Sequence, residues 1–359
     1  MDNLSNADLI ISRVAPPIIR NEHDRTFRGL ATGARHAPCG RRSRLIMTIP
    51  PKFMRSLRRH LLGGISSLTA VSCSTDVLSA RLGSTYGLDD QEVDSETYDH
   101  GHELGIEFFR ASHGWRRPLV VFFPGGAWQR ASGQVMYRTF ARSLASRGLV
   151  VALPEYRTYP QVLFPSFLDD SAHAVAYAIR RAAALGADPD RVYLMGHSAG
   201  AYNAMMLGHD PGRLLAAGVP AGTIRGTVGI SGPYTRARLR HWAVADVFAG
   251  RADEEIDLRH MIRPDAPPTL LLTGDADAVV PLEESRVLHD AIKARGGRVT
   301  LEVLPGVGHL DPVSSGPWLP TVDEVVGKSA SFIRGIGRAA PAWPVAAWRF
   351  PAADAACPA

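Results

Sequence analysis

The sequence predicts an α/β fold, a mostly parallel central sheet covered by helices on both faces. From about residue 104 onward, short apolar runs of strand length alternate with amphipathic segments of helix length. One of these runs, Thr269–Gly274, is apolar over most of its length, as expected for a strand that is buried on both faces. In such a sheet, ligands bind beyond the carboxyl ends of the strands, so the residues that follow each run are the candidates for function.

Seven strands and five helices are predicted in chain order. The strands are Gly105–Arg110, Leu119–Phe123, Leu149–Leu153, Val192–Gly196, Gly226–Ser231, Thr269–Gly274 and Val299–Leu304. The helices are Gly133–Ser146, Pro165–Ala184, Ala199–Gly208, Leu282–Ala294 and Thr321–Ile336. The longest interruption, between Ser231 and Thr269, has room for one or two short helices but not for a separate cap domain.

Charge and cysteine content exclude several classes of protein. Residues 1–60 contain 12 Lys+Arg and 4 Asp+Glu, so the rest of the 359-residue chain, with 28 and 31, is mildly acidic. That removes the case for nucleic-acid binding, which needs basic residues on the folded surface. Neither zinc-ligand spacing nor a phosphate-binding glycine loop occurs, so no metal and no cofactor are expected. The three cysteines, Cys39, Cys73 and Cys357, cannot cross-link the predicted core.

A serine lies in the segment that most restricts the chemistry. Ser198 is the centre of Gly196-His-Ser-Ala-Gly200, which follows an apolar strand and begins a predicted helix. A G-x-S-x-G segment in that context makes a sharp turn, where small flanking residues leave the serine hydroxyl exposed. Ser198 is therefore the candidate nucleophile.

An acid and a histidine follow later strands. Asp277 lies in the loop after Thr269–Gly274, and His309 lies in a glycine-flanked loop after Val299–Leu304. The chain order serine, acid, histidine is that of a catalytic triad in which histidine takes the serine proton and the carboxylate orients the histidine. Asp277 is preferred to Asp275, because Asp275 is nearer the strand and is expected to make hydrogen bonds within the loop.

Two glycines follow the strand Leu119–Phe123. Gly125 and Gly126 let the backbone approach a developing negative charge, and the amide of Ala199 adds a donor at a helix start. These residues are predicted to form an oxyanion hole. Trp128, in the same segment, is expected to contribute to substrate binding.

Five motifs together resemble a known family. They are Pro124–Trp128, Glu155–Pro160, Gly196–Gly200, Asp277–Pro281 and Gly308-His309. The chain is similar, over residues 104–337, to the carboxylesterase branch of the alpha/beta-hydrolase superfamily, with BD-FAE-type feruloyl and acetyl esterases and kynurenine-formamidase-like enzymes as the nearest group. The resemblance implies the alpha/beta-hydrolase fold without a large cap domain, and a serine esterase that needs no cofactor and acts on small-molecule esters through an acyl-enzyme.

The chain departs from that family at two positions. Pro124 replaces the usual histidine of the oxyanion motif, and Glu155 replaces the usual aspartate. Arg157 is expected to be structural, pairing with Asp169, Asp170 or Glu155.

Because the chain has no room for a separate cap domain, the site is expected to be open. An open site favours small or polymer-attached acyl groups over long buried chains. Cleavage of amides, as in a formamidase or small peptidase, is not separated from ester cleavage by the sequence, and a non-catalytic, membrane-tethered binding protein is the alternative from another class.

The ends of the chain are expected to lie outside the folded domain. Residues 1–53 are predicted to be disordered or an over-extended reading frame, residues 74–103 a linker, and residues 338–359 a disordered tail. Residues 54–73 combine a basic start, a short apolar stretch and Ala70-Val-Ser-Cys73, and resemble a bacterial lipoprotein signal with Cys73 as the lipidated residue. This predicts the cell envelope or secretion; a mobile arm on a cytoplasmic protein is the alternative.

Overall fold

Eight strands form one sheet in the computed structural model, which describes residues 91–111, 114–129, 135–241, 244–314 and 319–336. The strands are β1 (Gln91–Asp99), β2 (Leu104–Ala111), β3 (Arg117–Phe123), β4 (Val150–Pro154), β5 (Ala187–His197), β6 (Ile224–Ile230), β7 (Thr269–Gly274) and β8 (Val299–Leu304). Their order across the sheet is β1-β2-β4-β3-β5-β6-β7-β8. The seven predicted strands are all present, with ends that differ by a few residues.

The six strands from β3 to β8 run parallel, and β1 and β2 are antiparallel additions at one edge. The central strands are buried on both faces, which explains why their sequences are continuously apolar. Because the strands are parallel, the loops after β3, β5, β7 and β8 leave the same edge of the sheet. The candidate functional residues lie in these loops.

The expected linker is wrong from Gln91 onward, because β1 belongs to the sheet. β1 pairs along its length with β2, and the Tyr98 hydroxyl donates a hydrogen bond of 2.7 Å to the carbonyl of Glu155. Its sequence, QEVDSETYD, has no apolar run because it is a half-exposed edge strand. Residues 1–90 and 337–359 lie outside the described residues, so the signal, tail and disorder assignments stay predictions.

Helices cover both faces of the sheet. The longer ones are α1 (Val135–Ala145), α2 (Ser166–Arg181), α3 (Ala199–His209), α7 (Leu282–Ala294) and α8 (Pro320–Ile336). These correspond to the five predicted helices. The short ones are α4 (Pro211–Ala216), α5 (Arg236–Leu239) and α6 (Asp253–Ile256), with 3-10 turns at Ala183–Leu185, Ala245–Phe248 and Leu258–His260. Within the described residues, no helix is both long and apolar enough to cross a membrane.

The interruption between β6 and β7 packs down onto the protein and forms no separate domain. Its short helices insert Val247 and Phe248, both fully buried, into an aromatic cluster. The Phe248 ring lies edge-on to Trp128 at a centroid distance of 5.0 Å. This layer therefore packs against Trp128 in the loop after β3.

Candidate active site

Ser198 lies at the tip of the turn from β5 into α3. Its backbone has φ 53° and ψ −121°, a strained conformation for a residue with a side chain. The Ser198 amide donates to the carbonyl of Ile230 on the neighbouring strand at 2.9 Å, which helps to hold the turn. A β-carbon on Gly196 would lie 2.2 Å from the Gly200 carbonyl oxygen, and one on Gly200 would lie 2.0 Å from that of Phe123. Only glycine therefore fits at either position.

His309 and Asp277 complete a continuous line of hydrogen bonds from Ser198. His309 Nε2 lies 3.0 Å from Ser198 Oγ, and His309 Nδ1 lies 2.8 Å from Asp277 Oδ2. The three residues come from the loops after β5, β7 and β8. The Asp277 side chain is fully buried and that of His309 is 10% exposed, so the line is shielded from solvent at its acid end.

The surroundings of Asp277 keep it charged. Its Oδ1 accepts hydrogen bonds from the amides of Val279 at 2.9 Å and Val280 at 2.8 Å. Burial tends to raise the pKa of Asp277, but the hydrogen bonds from His309 and from the two amides outweigh burial and hold the pKa below its usual value. Because an ionised carboxylate only accepts, His309 must carry its proton on Nδ1. Its Nε2 lone pair then faces Ser198 Oγ.

Asp275 does what the sequence predicted for it. Its Oδ1 accepts a hydrogen bond of 2.6 Å from the amide of Gly306, in the loop that leads to His309. The same loop is held at its far side by Asp311, whose carboxylate accepts from the amide of Gly308 at 2.8 Å. Asp275 therefore ties the acid loop to the histidine loop and is not part of the hydrogen-bonded line.

The loop after β3 adopts an unusual backbone. Gly126 has φ 144°, and Ala127 and Trp128 follow at 55° and 54°, in the left-handed region. Gly125 lies against the nucleophile turn, because a β-carbon there would be 3.0 Å from Ser198 Cβ. The segment predicted as an oxyanion hole is thus next to Ser198, as is Ala199 at the start of α3.

Gly125 also packs against Tyr137. A β-carbon on Gly125 would lie 2.6 Å from the Tyr137 hydroxyl oxygen, so only glycine fits beside that side chain. Gly125, Gly126 and Ala199 remain the candidate donors, and the donor role of Gly125 stays a prediction.

The substrate contact predicted for Trp128 is also wrong for its side chain. The indole is 1% exposed and packs among Phe167, Tyr202 and Phe248. Its Nε1 donates to Asn203 Oδ1 on α3 at 3.0 Å. An aromatic residue after a Gly-Gly turn serves equally well as an anchor, and the sequence gives no sign of which role applies. Trp128 holds the strained loop to the helix that follows the nucleophile.

Arg157 is structural, as predicted, and its partner is Asp170. The guanidinium makes a bidentate contact with the Asp170 carboxylate, with Nη2 at 2.6 Å from Oδ1 and Nε at 2.9 Å from Oδ2. Asp170 is 2% exposed, and its Oδ2 also accepts from the Arg157 amide at 3.0 Å. Glu155 instead accepts from the amide of Gly105 at 3.0 Å, so it joins β2 to the loop after β4.

Two residues that the sequence did not single out lie behind the site. His197 is fully buried, with Nε2 at 2.9 Å from the His309 carbonyl oxygen and Nδ1 at 2.9 Å from the Tyr137 hydroxyl. His197 occupies a variable position of the G-x-S-x-G motif, which is the one signal that could have indicated it. Tyr137 lies on a predicted helix, where an aromatic residue is usually part of the core.

The sheet order, the turn at Ser198 and the line from Ser198 to Asp277 are those of the alpha/beta-hydrolase fold. The sequence model of the BD-FAE family matches residues 108–216, and that of the prolyl oligopeptidase family matches residues 166–319. No cluster of three or more potential metal ligands occurs among the described residues.

Two of the curated relatives that the chain resembles are named as esterases. The chain is 28% identical over 242 residues to isoprenylcysteine alpha-carbonyl methylesterase ICME of Arabidopsis thaliana, covering 60% of this chain and 56% of the relative. It is 28% identical over 236 residues to esterase LipC of Mycobacterium tuberculosis, covering 56% and 58%. The chain thus spans little more than half the length of these relatives.

The apo form of Thermogutta terrifontis esterase 2 has a similar structure. It is 24% identical, with a TM-score of 0.59 over 71% of this chain and 97% of the other. The sarin-phosphonylated form of that esterase gives a TM-score of 0.60 at 22% identity, covering 69% and 96%. These likenesses show the fold.

Proposed function

We propose that this protein is a serine hydrolase that cleaves carboxylic esters through an acyl-enzyme intermediate. The observation that carries the proposal is the hydrogen-bonded line from Ser198 Oγ through both nitrogens of His309 to Asp277. A serine hydroxyl attacks a carbonyl only when a base takes its proton, and His309 Nε2 is at the distance required. The names of the curated relatives, methylesterase and esterase, favour an ester as the substrate.

In the proposed reaction, Ser198 Oγ attacks the ester carbonyl carbon while His309 Nε2 takes its proton. Asp277 stabilises the imidazolium that forms, through the hydrogen bond to Nδ1. The imidazolium then donates its Nε2 proton to the leaving alkoxide, and the C–O bond to the alcohol breaks. Water attacks the acyl-enzyme with His309 as base again, which releases the acid and restores Ser198.

The developing negative charge is assigned to two amides. The carbonyl oxygen becomes an oxyanion in each tetrahedral intermediate and needs preorganised N–H donors. The Gly126 amide lies in the loop after β3, and the Ala199 amide lies at the start of α3, where the helix dipole also favours an anion. The strained backbone at Ser198, Ala127 and Trp128 supports this assignment, because such strain is concentrated at functional sites.

The substrates are expected to be small. The segment between β6 and β7 packs beside the site and forms no cap, so no deep tunnel for a long chain is built from it. Exposed apolar side chains on the site loops, Val279 after Asp277 and Leu310 after His309, favour esters with an apolar part. We therefore place short acyl esters, with an apolar acyl or alcohol group, first in a substrate panel.

The test is the variant Ser198→Ala assayed with p-nitrophenyl acetate. We expect turnover to be abolished in a protein that still folds, while Ser143→Ala, a buried serine on α1 that donates to the Thr139 carbonyl, retains it. Unchanged turnover in Ser198→Ala would refute the proposal.

Amide cleavage is the second candidate, favoured by the match of residues 166–319 to the prolyl oligopeptidase family. The same serine, histidine and acid can cleave amides, and the shape of the pocket decides between leaving groups. Side-by-side rates on an aminoacyl anilide, N-formylkynurenine and p-nitrophenyl esters would decide. Ester rates that exceed amide rates by more than the intrinsic difference in reactivity support the esterase. A fluorophosphonate probe tests the non-catalytic alternative, because a silent site would not be labelled.

A further inference from the structure

A buried series of contacts connects the oxyanion loop with the backbone of His309. Gly125 packs against the Tyr137 hydroxyl, since a β-carbon on Gly125 would lie 2.6 Å from the hydroxyl oxygen. That hydroxyl is hydrogen-bonded to His197 Nδ1, and His197 Nε2 is hydrogen-bonded to the His309 carbonyl oxygen. The two distances at His197 are both 2.9 Å. The path passes behind Ser198, and Tyr137 and His197 are 2% and 0% exposed. The His197 ring also packs against the His309 ring at a centroid distance of 4.9 Å, without a hydrogen bond to either of its nitrogens.

The direction of each hydrogen bond follows from chemistry. The His309 carbonyl only accepts, so His197 must carry its proton on Nε2. The remaining Nδ1 lone pair must then accept, so the Tyr137 hydroxyl donates to it. Burial lowers the pKa of His197 to about 3, with a further contribution from nearby His309, so the ring is neutral throughout the working range. Each group along this path therefore has one role as donor or acceptor.

The oxyanion loop has a second tyrosine contact. The Tyr156 hydroxyl, also buried, donates to the Pro124 carbonyl at 2.7 Å. Pro124 has no amide proton and no polar side chain, so it cannot fix the loop itself. Two buried tyrosine hydroxyls therefore contact the start of the loop, that of Tyr137 at Gly125 and that of Tyr156 at Pro124. Only Tyr137 continues to the histidine.

We propose that Tyr137 and His197 are positioning residues that fix the backbone of His309 relative to the oxyanion loop. The proposal rests on the proposed function, since it assigns these residues to the same site. Proton transfer to the leaving group requires His309 Nε2 near the alcohol oxygen while the oxyanion is held, so both parts of the site must keep a fixed separation. A displacement of about 1 Å at a reacting group can cost about 100-fold in rate.

The experiment compares Tyr137→Phe with a matched control. Tyr193→Phe removes another buried hydroxyl, which donates to the Ile333 carbonyl on α8 at 3.1 Å. This hydroxyl makes no contact with the described residues of the site. Two acetyl esters are used, because p-nitrophenolate leaves without being protonated, whereas ethoxide needs the proton from His309. Values of kcat/KM are divided by the active fraction, measured by titration with a fluorophosphonate.

We expect Tyr137→Phe to lower kcat/KM about 10-fold with p-nitrophenyl acetate and about 100-fold with ethyl acetate. Tyr193→Phe should leave both values near those of the wild type. A loss of folded protein lowers the active fraction and cancels in the ratio of the two esters, so it cannot imitate the expected result. Equal losses on the two esters, or values like those of Tyr193→Phe, would overturn the proposal.

A second pair of variants tests the contact to His309 directly. The amide nitrogen of glutamine in His197→Gln can take the place of Nε2 and donate to the His309 carbonyl, whereas asparagine in His197→Asn reaches only toward Tyr137. We expect His197→Gln to retain more of its ethyl acetate activity than His197→Asn. The reverse order, or no loss in either variant, would contradict the proposal. Failure of the proposed function is a separate result, since the wild type would then hydrolyse neither ester.

Discussion

Lowering the pH from 7 to 5 should destabilise the folded protein, because two histidines are buried in the neutral form. Burial lowers the pKa of His197 to about 3 and that of His209 to about 4, with Arg263 adding to the effect at His209. The unfolded chain titrates its histidines near 6.5. The unfolded state therefore binds more protons between these values. The contribution to stability is fully present above about pH 6.5 and is lost as the pH falls toward the folded pKa values.

The magnitude follows from the width of this window. Each pH unit below 6.5 costs about 1.4 kcal/mol for each group that protonates only in the unfolded state. At pH 5, both histidines are still neutral in the folded protein, so each contributes a loss of about 2 kcal/mol. The pair should lower the free energy of unfolding by about 4 kcal/mol, a large share of the stability of an ordinary domain.

The variant that isolates one group is His209→Leu. His209 ends α3, is 2% exposed, and finds no hydrogen-bond partner for either ring nitrogen among the described residues. Leucine has a similar volume and cannot be protonated. The loss between pH 7 and pH 5 should shrink by about 2 kcal/mol in this variant. His173→Gln is the control, because His173 is an exposed histidine on α2 that water solvates before and after unfolding.

The assay is urea unfolding followed by circular dichroism at pH 7 and at pH 5 for the three proteins. If His209→Leu loses as much free energy of unfolding as the wild type between pH 7 and pH 5, burial of neutral His209 does not cause the loss. The lowered pKa of Asp277 does not confuse the result, because an aspartate in the unfolded chain is also largely ionised at about pH 5 and above. The interval from pH 5 to pH 7 therefore reports histidines.

Two further predictions concern the site. Asp277→Asn should lower kcat by about 10³- to 10⁴-fold on p-nitrophenyl acetate, because an amide cannot hold His309 in the required tautomer; a loss under tenfold would show that another group orients the ring. Trp128→Phe should lower the free energy of unfolding by about 1–3 kcal/mol, because it leaves the buried Asn203 oxygen without its donor. Urea unfolding at pH 7 measures this change, and a stability equal to wild type would show that the indole contact contributes nothing.

The sequence predicts the parallel part of the fold well, because the central strands are buried on both faces and the edge strand β8 alternates apolar and polar residues. Continuous apolar runs such as Thr269–Gly274 then have one structural interpretation, and β7 and β8 match their predicted bounds. The sequence does not predict β1, because β1 is a half-exposed edge strand without an apolar run. It gains its stability from pairing and from side-chain contacts such as that of Glu96 with Arg181, with Nη2 at 2.7 Å from Oε1. Those contacts join residues 85 positions apart, so no local pattern contains them.

The residues of the site also fall into those that the sequence predicts and those that it does not. Ser198, Asp277 and His309 are recognisable because their chemistry requires loops after particular strands, and sequence order places them there. Trp128 was assigned wrongly, because a loop aromatic can face substrate or face the core with the same neighbours in sequence. His197 and Tyr137 were missed for a related reason: a buried polar side chain shows its function only through its partners.

The strained backbone of the site loops is stabilised by buried side chains that surround it. Ser198, Ala127 and Trp128 all have left-handed backbones, and such conformations persist only when the surroundings hold them. Trp128 is held through Asn203 on α3, the helix that follows Ser198. Gly125 packs on Tyr137, whose hydroxyl is hydrogen-bonded to His197 beside the nucleophile. The nucleophile, the base and the oxyanion donors are thereby fixed to one another through buried neutral groups. Such groups keep their hydrogen bonds as the pH changes near neutrality, so the geometry that they impose on the site is expected to be independent of pH there.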